Sequence, residues 1–83
     1  MTRSVFTRPY QVLRKRLIDA RVDAGLSQAE VASRLGRNQT FVSKYERGER
    51  RLDVVEFLEV ASVLGVDANK LLREIAKFME KAS

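Results

Sequence analysis

The sequence predicts an all-α fold, a compact bundle of five helices, and three observations carry that expectation. Four glycines, Gly25, Gly36, Gly48 and Gly65, each stand where an apolar spacing of three to four residues stops. That is where a helix closes on a left-handed residue, a conformation glycine adopts without a Cβ penalty. Two stretches, SQAE at 27–30 and DVVE at 53–56, have the Ser/Asp-x-x-Glu pattern of a capping box, in which cap side chain and third-residue side chain satisfy each other's backbone N–H. No run of five residues alternates cleanly between apolar and polar, and no Asn-Gly or Asp-Gly turn joins two β-branched runs, so no strand is expected.

The first helix is expected from Pro9 or Tyr10 to Ala24. The single proline falls in its first turn, where the missing N–H is harmless, and Leu13, Leu17, Ala20 and Ala24 form the inner stripe with Arg21 beside it. Ser27 caps the second helix, whose buried side is Val31, Ala32 and Leu35. After a turn of three residues Asn38 is expected to cap a short third helix, Gln39 to Arg47. A fourth helix follows Asp53 and presents Val54, Phe57, Leu58, Ala61 and Leu64; a fifth follows Asp67 and carries Leu71, Leu72, Ile75, Phe78 and Met79. Residues 1–8 read as a leader and residues 9–83 as one domain.

Eighty-three residues suffice for one domain, and a chain of this size buries only about 60% of the surface its unfolded form exposes. The absence of cysteine and histidine removes disulfides, thiol nucleophiles and the usual zinc and haem ligands. No phosphate-cradling glycine loop is present. Glu56 and Glu59 share a helix flank where capping and ion pairing account for them, so no enzyme activity, cofactor or metal is expected. With neither a signal-type h-region nor a long apolar stretch, no membrane partner is expected and a cytoplasmic location is the default. The formal charge is +5, and its distribution is uneven: residues 1–51 hold twelve Lys or Arg against five acids, residues 52–83 four against six. A basic portion beside a slightly acidic one suits a polyanion on one face, with nucleic acid the leading candidate.

The second and third helices together form the region of chemical interest. Ala32 permits close approach, Gly36 makes the turn, and Val42 and Tyr45 pin the third helix to the core, which is the spacing of a helix-turn-helix. Gln39, Thr40, Ser43, Lys44 and Arg47 then share the opposite face. Amide, hydroxyl and ammonium groups at the start of such a helix can donate to or accept from base edges in a major groove. An ordinary solvated face is the alternative, though it would more commonly carry Glu–Lys pairs at i,i+4. Arg37, Arg47, Arg50 and Arg51 surround this face off any apolar stripe, so their expected use is to hold phosphates; a solubilising run is the alternative for the last two. Gln28, in the first turn of the second helix, can also donate to a phosphate. Phe41 either packs against the second helix or the following loop, or touches a thymine methyl group.

The segments GLSQAEVA, VSKYERGER and SVLGVD resemble the helix-turn-helix domain of the Cro and phage-repressor type, the XRE family, over about residues 13 to 72. The resemblance implies a five-helix domain that binds palindromic double-stranded DNA as a homodimer and regulates transcription, most simply as a repressor. By motif position it implies Gln39, Thr40, Ser43 and Lys44 as base readers, Gln28 and Arg47 as phosphate contacts, and a structural ion pair between Arg21 and Glu46. The fifth helix here continues its apolar spacing through Ile75, Phe78 and Met79, with little remaining helix for the last two to lie against. They are therefore expected to dimerise, unless Val5 and Phe6 of the leader cover the same patch. The leader itself reads as disordered, as a basic arm bearing Arg3 and Arg8, or as a segment folded onto a neighbour. Two other functions stay open: an antitoxin that binds a toxin protein and autoregulates its operon, or a protein-interaction module that does not read DNA.

Overall fold

The computed structural model describes residues 7–82, and side chains as far as Met79. Five helices follow one another: α1, Arg8–Asp23; α2, Gln28–Leu35; α3, Gln39–Glu46; α4, Val54–Leu64; α5, Ala68–Ala82, with no strand among the described residues. The order and number match the sequence expectation, with ends shifted by one or two residues. α1 is the hub. It lies along α5 and also meets α3 and α4, while α2 packs against both α3 and α4.

The expected capping chemistry is present at α2 and α4. Ser27 Oγ accepts from the Glu30 N–H at 3.0 Å while Glu30 Oε1 accepts from the Ser27 N–H at 2.8 Å, and Asp53 and Glu56 exchange the same two bonds at 2.7 and 3.0 Å. At the end of α2, Gly36 takes φ 72°; its N–H reaches Ser33 O at 3.1 Å and the Arg37 N–H reaches Ala32 O at 2.9 Å. That paired closure requires a left-handed residue, so any side chain at position 36 would strain the turn between α2 and α3. α3 differs. Asn38 occupies the cap position with extended backbone but its side chain accepts no capping bond, contrary to the expectation.

The core consists of Leu17, Val31, Ala32, Phe41, Val42, Tyr45, Phe57, Val60, Leu64 and Leu71, with Leu13, Ala20, Leu35 and Ile75 partly buried against it. Each fully buried aliphatic or aromatic side chain contributes on the order of 1.5–3 kcal/mol. Four inner-face assignments are corrected. Ala24 is exposed because it lies at the cap of α1, whereas Tyr10 in the first turn is buried and its hydroxyl accepts from the Leu52 N–H at 3.1 Å. On α4, Val54 and Leu58 are 73% and 47% exposed while Val60 is fully buried. α4 is apolar almost all round, so periodicity could not say which stripe meets α1 and α2. Leu72 on α5 is likewise half exposed.

α5 does not project alone. Its C-terminal half lies beside the start of α1, Arg16 pairs with Glu74 at 3.0 Å, and the Arg8 guanidinium sits 5.5 Å from the centre of the Phe78 ring. Phe78 therefore has a helix to lie against after all: the first turn of α1 supplies it, a long-range contact that helix spacing in α5 does not reveal. Ile75 joins the core margin, and Met79 remains 60% exposed. Val5, Phe6 and Arg3, assigned to a leader, lie outside the described residues.

Candidate nucleic-acid interface

α3 has eight residues and two faces. Phe41, Val42, Tyr45 and Glu46 are buried. Gln39, Thr40, Lys44 and Arg47 are exposed and Ser43 is half-buried, its hydroxyl bonding back to Thr40 O at 3.3 Å. The division follows from helical spacing, since positions 41, 42, 45 and 46 lie on one side and 39, 40, 43, 44 and 47 on the other. α2 supplies the platform: Val31 and Ala32, with almost no exposed surface, face α3 and the core.

Behind the exposed face runs a polar relay. Arg21 Nε donates to Glu46 Oε2 at 2.7 Å and Nη2 to Oε1 at 3.2 Å, while Nη1 donates to Leu26 O at 2.9 Å. Gln28 Nε2 donates to Glu46 Oε1 at 2.8 Å, and Gln39 Nε2 lies 3.4 Å from Gln28 Oε1. Arg21, Glu46, Gln28 and Gln39 thus link α1, α3 and α2 and end at the first exposed residue of α3. Glu46, buried and carrying charge, is tolerated because two donors satisfy its carboxylate. Tyr45 beside it is buried with its hydroxyl unpartnered, and burial first, then the Glu46 charge, pushes that phenol well above the ordinary tyrosine range.

The arginines around α3 are not loose charges. Arg50 sends Nη1 and Nη2 to the two oxygens of Glu56, both at 2.8 Å, and Arg37 Nη2 reaches Glu56 Oε2 at 3.4 Å. The two guanidinium carbons lie 4.9 and 4.3 Å from the centre of the Phe41 ring, a cation–π arrangement that accounts for the burial of Phe41. Arg50 bonding, with the Asp53 backbone second, holds the Glu56 carboxyl down at about 2. Arg47 clasps Glu49 at 2.9 and 3.1 Å; this bond lowers the Glu49 carboxyl and raises the guanidinium. Arg51 lies 4.7 Å over the Tyr10 ring. The turn before α3 and the loop after it are therefore both tied to the start of α4 through one carboxylate.

A family model described as helix-turn-helix matches residues 17–71, spanning the exposed face of α3, the relay and Glu56. The solved structure of an XRE-family like protein from Pseudomonas syringae pv. tomato is similar at a TM-score of 0.80, with 46% identity over 86% of this chain and 89% of that one. A protein of Sinorhizobium fredii, named an uncharacterized HTH-type transcriptional regulator, is 40% identical over 52 residues, 63% of this chain and 68% of the relative. The chain belongs to the XRE family of helix-turn-helix DNA-binding domains.

In this XRE domain the base-reading candidates Gln39, Thr40, Ser43 and Lys44 fall on one continuous strip with Arg47 at its end. The phosphate-holding candidates divide. Arg47 is exposed beside the strip; Arg37 and Arg50 reach it only from the Glu56 clasp; Gln28 is half-buried in the relay; Arg51 lies on Tyr10. Sequence reasoning missed Arg14, Gln11 and Tyr10 as residues that fix the site from α1. Arg14 stands seven residues before Arg21 and hence on the same helix face, a spacing that was available to find it. Capping and ion pairing were expected of Glu56, but not that it gathers Arg37, which comes from nineteen residues away, together with Arg50. No helix among the described residues is long and apolar enough to cross a membrane.

Proposed function

We propose that the protein is a sequence-specific, double-stranded DNA-binding regulator of transcription, a repressor by occlusion, that acts as a homodimer on a palindromic operator. The observation that carries this reading is the exposed strip Gln39, Thr40, Lys44 on α3, backed by a fully packed inner face and anchored at Gln39 through the relay. Gln39, Thr40, Ser43 and Lys44 read base edges: the glutamine amide is suited to adenine N6 and N7, the lysine to guanine O6 and N7. Arg47 and Gln28 hold phosphates. Arg37, Arg50 and Arg51 add positive potential, and a phosphate that draws Arg50 must compete with Glu56 for it. The named regulator of S. fredii supports the assignment to transcription. A cytoplasmic, nucleoid-associated location goes with it.

The second copy docks on the end of α5, where Met79 is exposed and Ile75 lies at the core margin. An isologous contact there sets two α3 helices about 34–36 Å apart, one turn of B-DNA. Selection of duplexes from a random pool tests the proposal, followed by titration of the selected and a scrambled duplex at several salt concentrations. A two-fold symmetric selected site is expected. Gln39→Ala is expected to lose about 1–3 kcal/mol against the selected site and little against the scrambled one. Arg47→Ala is expected to weaken both and to reduce the salt slope by about one. Equal effects of the two substitutions on both duplexes would overturn the division between readers and holders.

A further inference from the structure

The recognition helix of this domain is short and lacks a side-chain cap at its start, so its far end carries unusual weight. Of the carbonyls in its last turn, Ser43 O accepts from the Arg47 N–H at 3.0 Å, Lys44 O from the Glu49 N–H at 2.9 Å, and Tyr45 O from the Gly48 N–H at 3.2 Å. Glu46 O is the remaining one. A helix end leaves such carbonyls without intrahelical partners, and a cation there also meets the negative end of the helix dipole. Arg14 of α1 fills the place: its Nη1 donates to Glu46 O.

The guanidinium is set in advance for that bond. Arg14 Nε and Nη2 both donate to Gln11 Oε1, at 3.0 and 2.8 Å, one turn earlier on α1. The loop after α3 runs close by: a Cβ added at Gly48 would stand in ordinary contact with Arg14 Nε and Cδ, at 3.6 and 3.7 Å, so the glycine is required by its φ of 79° and not by the arginine. Two helical turns further along the same face of α1, Arg21 grips the Glu46 carboxylate. One residue of α3 is thus held twice by α1, through its main chain by Arg14 and through its side chain by Arg21. With Phe41, Val42 and Tyr45 packed in the core, these two attachments hold the far end of α3 against α1.

We propose that Arg14, preset by Gln11, is a positioning residue that sets the orientation of α3 for base reading and acts through Glu46, without itself touching DNA. The proposal rests on the DNA-reading function given above. Arg14→Met keeps the unbranched stem against Gly48 and removes all three hydrogen bonds; Arg14→Lys keeps a cation able to reach the carbonyl but not the fork onto Gln11.

Both variants are compared with the wild-type chain in two measurements: amide hydrogen exchange of Gly48 and Glu49 without DNA, and binding to the selected and scrambled duplexes across salt. For Arg14→Met the loss of a charge-assisted bond is expected to speed exchange at Gly48 and Glu49 and weaken the selected duplex, each by about 10-fold. Binding to scrambled DNA and the salt slope are expected to stay as in wild type, and Arg14→Lys to recover part of both losses. Equal weakening of both duplexes with a salt slope smaller by about one would make Arg14 a phosphate holder and overturn the proposal. Unchanged exchange at Gly48 and Glu49 would overturn it as well. Should the wild-type chain fail to distinguish the two duplexes, the DNA-reading function fails first, and the exchange measurement alone decides whether Arg14 clamps the helix.

Discussion

α2 and α3 are both eight residues long and belong to one motif, yet they are held in opposite ways. α2 carries its own boundaries: a capping box at Ser27 and Glu30, a left-handed glycine at its end, and an apolar stripe between. α3 has no side-chain cap bond and no acidic residue in its first turn, and its own sequence spends positions 39, 40, 43 and 44 on an outward face. Helices of this length are marginal in isolation. α3 is held from outside instead, by Arg14 and Arg21 of α1 on Glu46, by Arg37 and Arg50 converging on Glu56 of α4, and by Phe41, Val42 and Tyr45 in the core. The contrast teaches that a short helix that turns half of its residues outward must borrow its stability from elements elsewhere in the chain.

The contrast breaks most visibly at the clamps. Arg21→Ala is expected to destabilise the domain by about 3 kcal/mol, because it strands the buried Glu46 carboxylate, whereas replacing Arg21 and Glu46 together by methionine should lose much less. Urea unfolding of the single and double variants measures the difference, and equal losses would show that the pair itself, not the stranded charge, matters. A smaller effect is expected with acid. Glu56 titrates at about 2 in the folded chain against an ordinary 4.5, so the unfolded chain binds the proton more readily. Its stabilisation is complete above the unfolded value and disappears as pH falls from about 4.5 through about 2; with half-exposed arginine partners it is on the order of 1–2 kcal/mol. Glu56→Gln should lower stability at neutral pH and flatten that part of the acid limb in a pH series of melts. An acid limb of unchanged steepness would discount the clasp.

The smallest expected effects sharpen the contrast at the helix starts. Ser27→Ala removes a formed cap and should cost about 1 kcal/mol, while Asn38→Ala removes none and should cost only a few tenths. Thermal melts of the two variants side by side make the comparison. A larger loss at Asn38 than at Ser27 would reverse the account of how the two helices are held.

The portions legible in the sequence were those encoded within a few residues. Gly36 closing α2, the boxes at Ser27 and Asp53, and the strip of Gln39, Thr40 and Lys44 opposite Val42 and Tyr45 all follow from local spacing, which fixes what a helix can bury and what it must expose. The motif segments around them carried the family resemblance. Asn38 was misjudged as a capping side chain because residue type gives a preference, and only the local geometry decides whether the bond is made.

Sequence by itself determined the number of helices, their order, their class of fold and the outward face of α3, since periodicity and capping act over three or four residues. Tertiary structure alone decided which stripe of α4 is buried, that Phe78 lies against the start of α1, and that Arg14, Arg37 and Arg50 have protein partners. Those pairings join residues nineteen and thirty-two positions apart in the case of Arg37 with Glu56 and Arg14 with Glu46. A side chain that could serve solvent, phosphate or a distant carboxylate equally well is assigned its partner only when folding brings one of them within hydrogen-bonding reach.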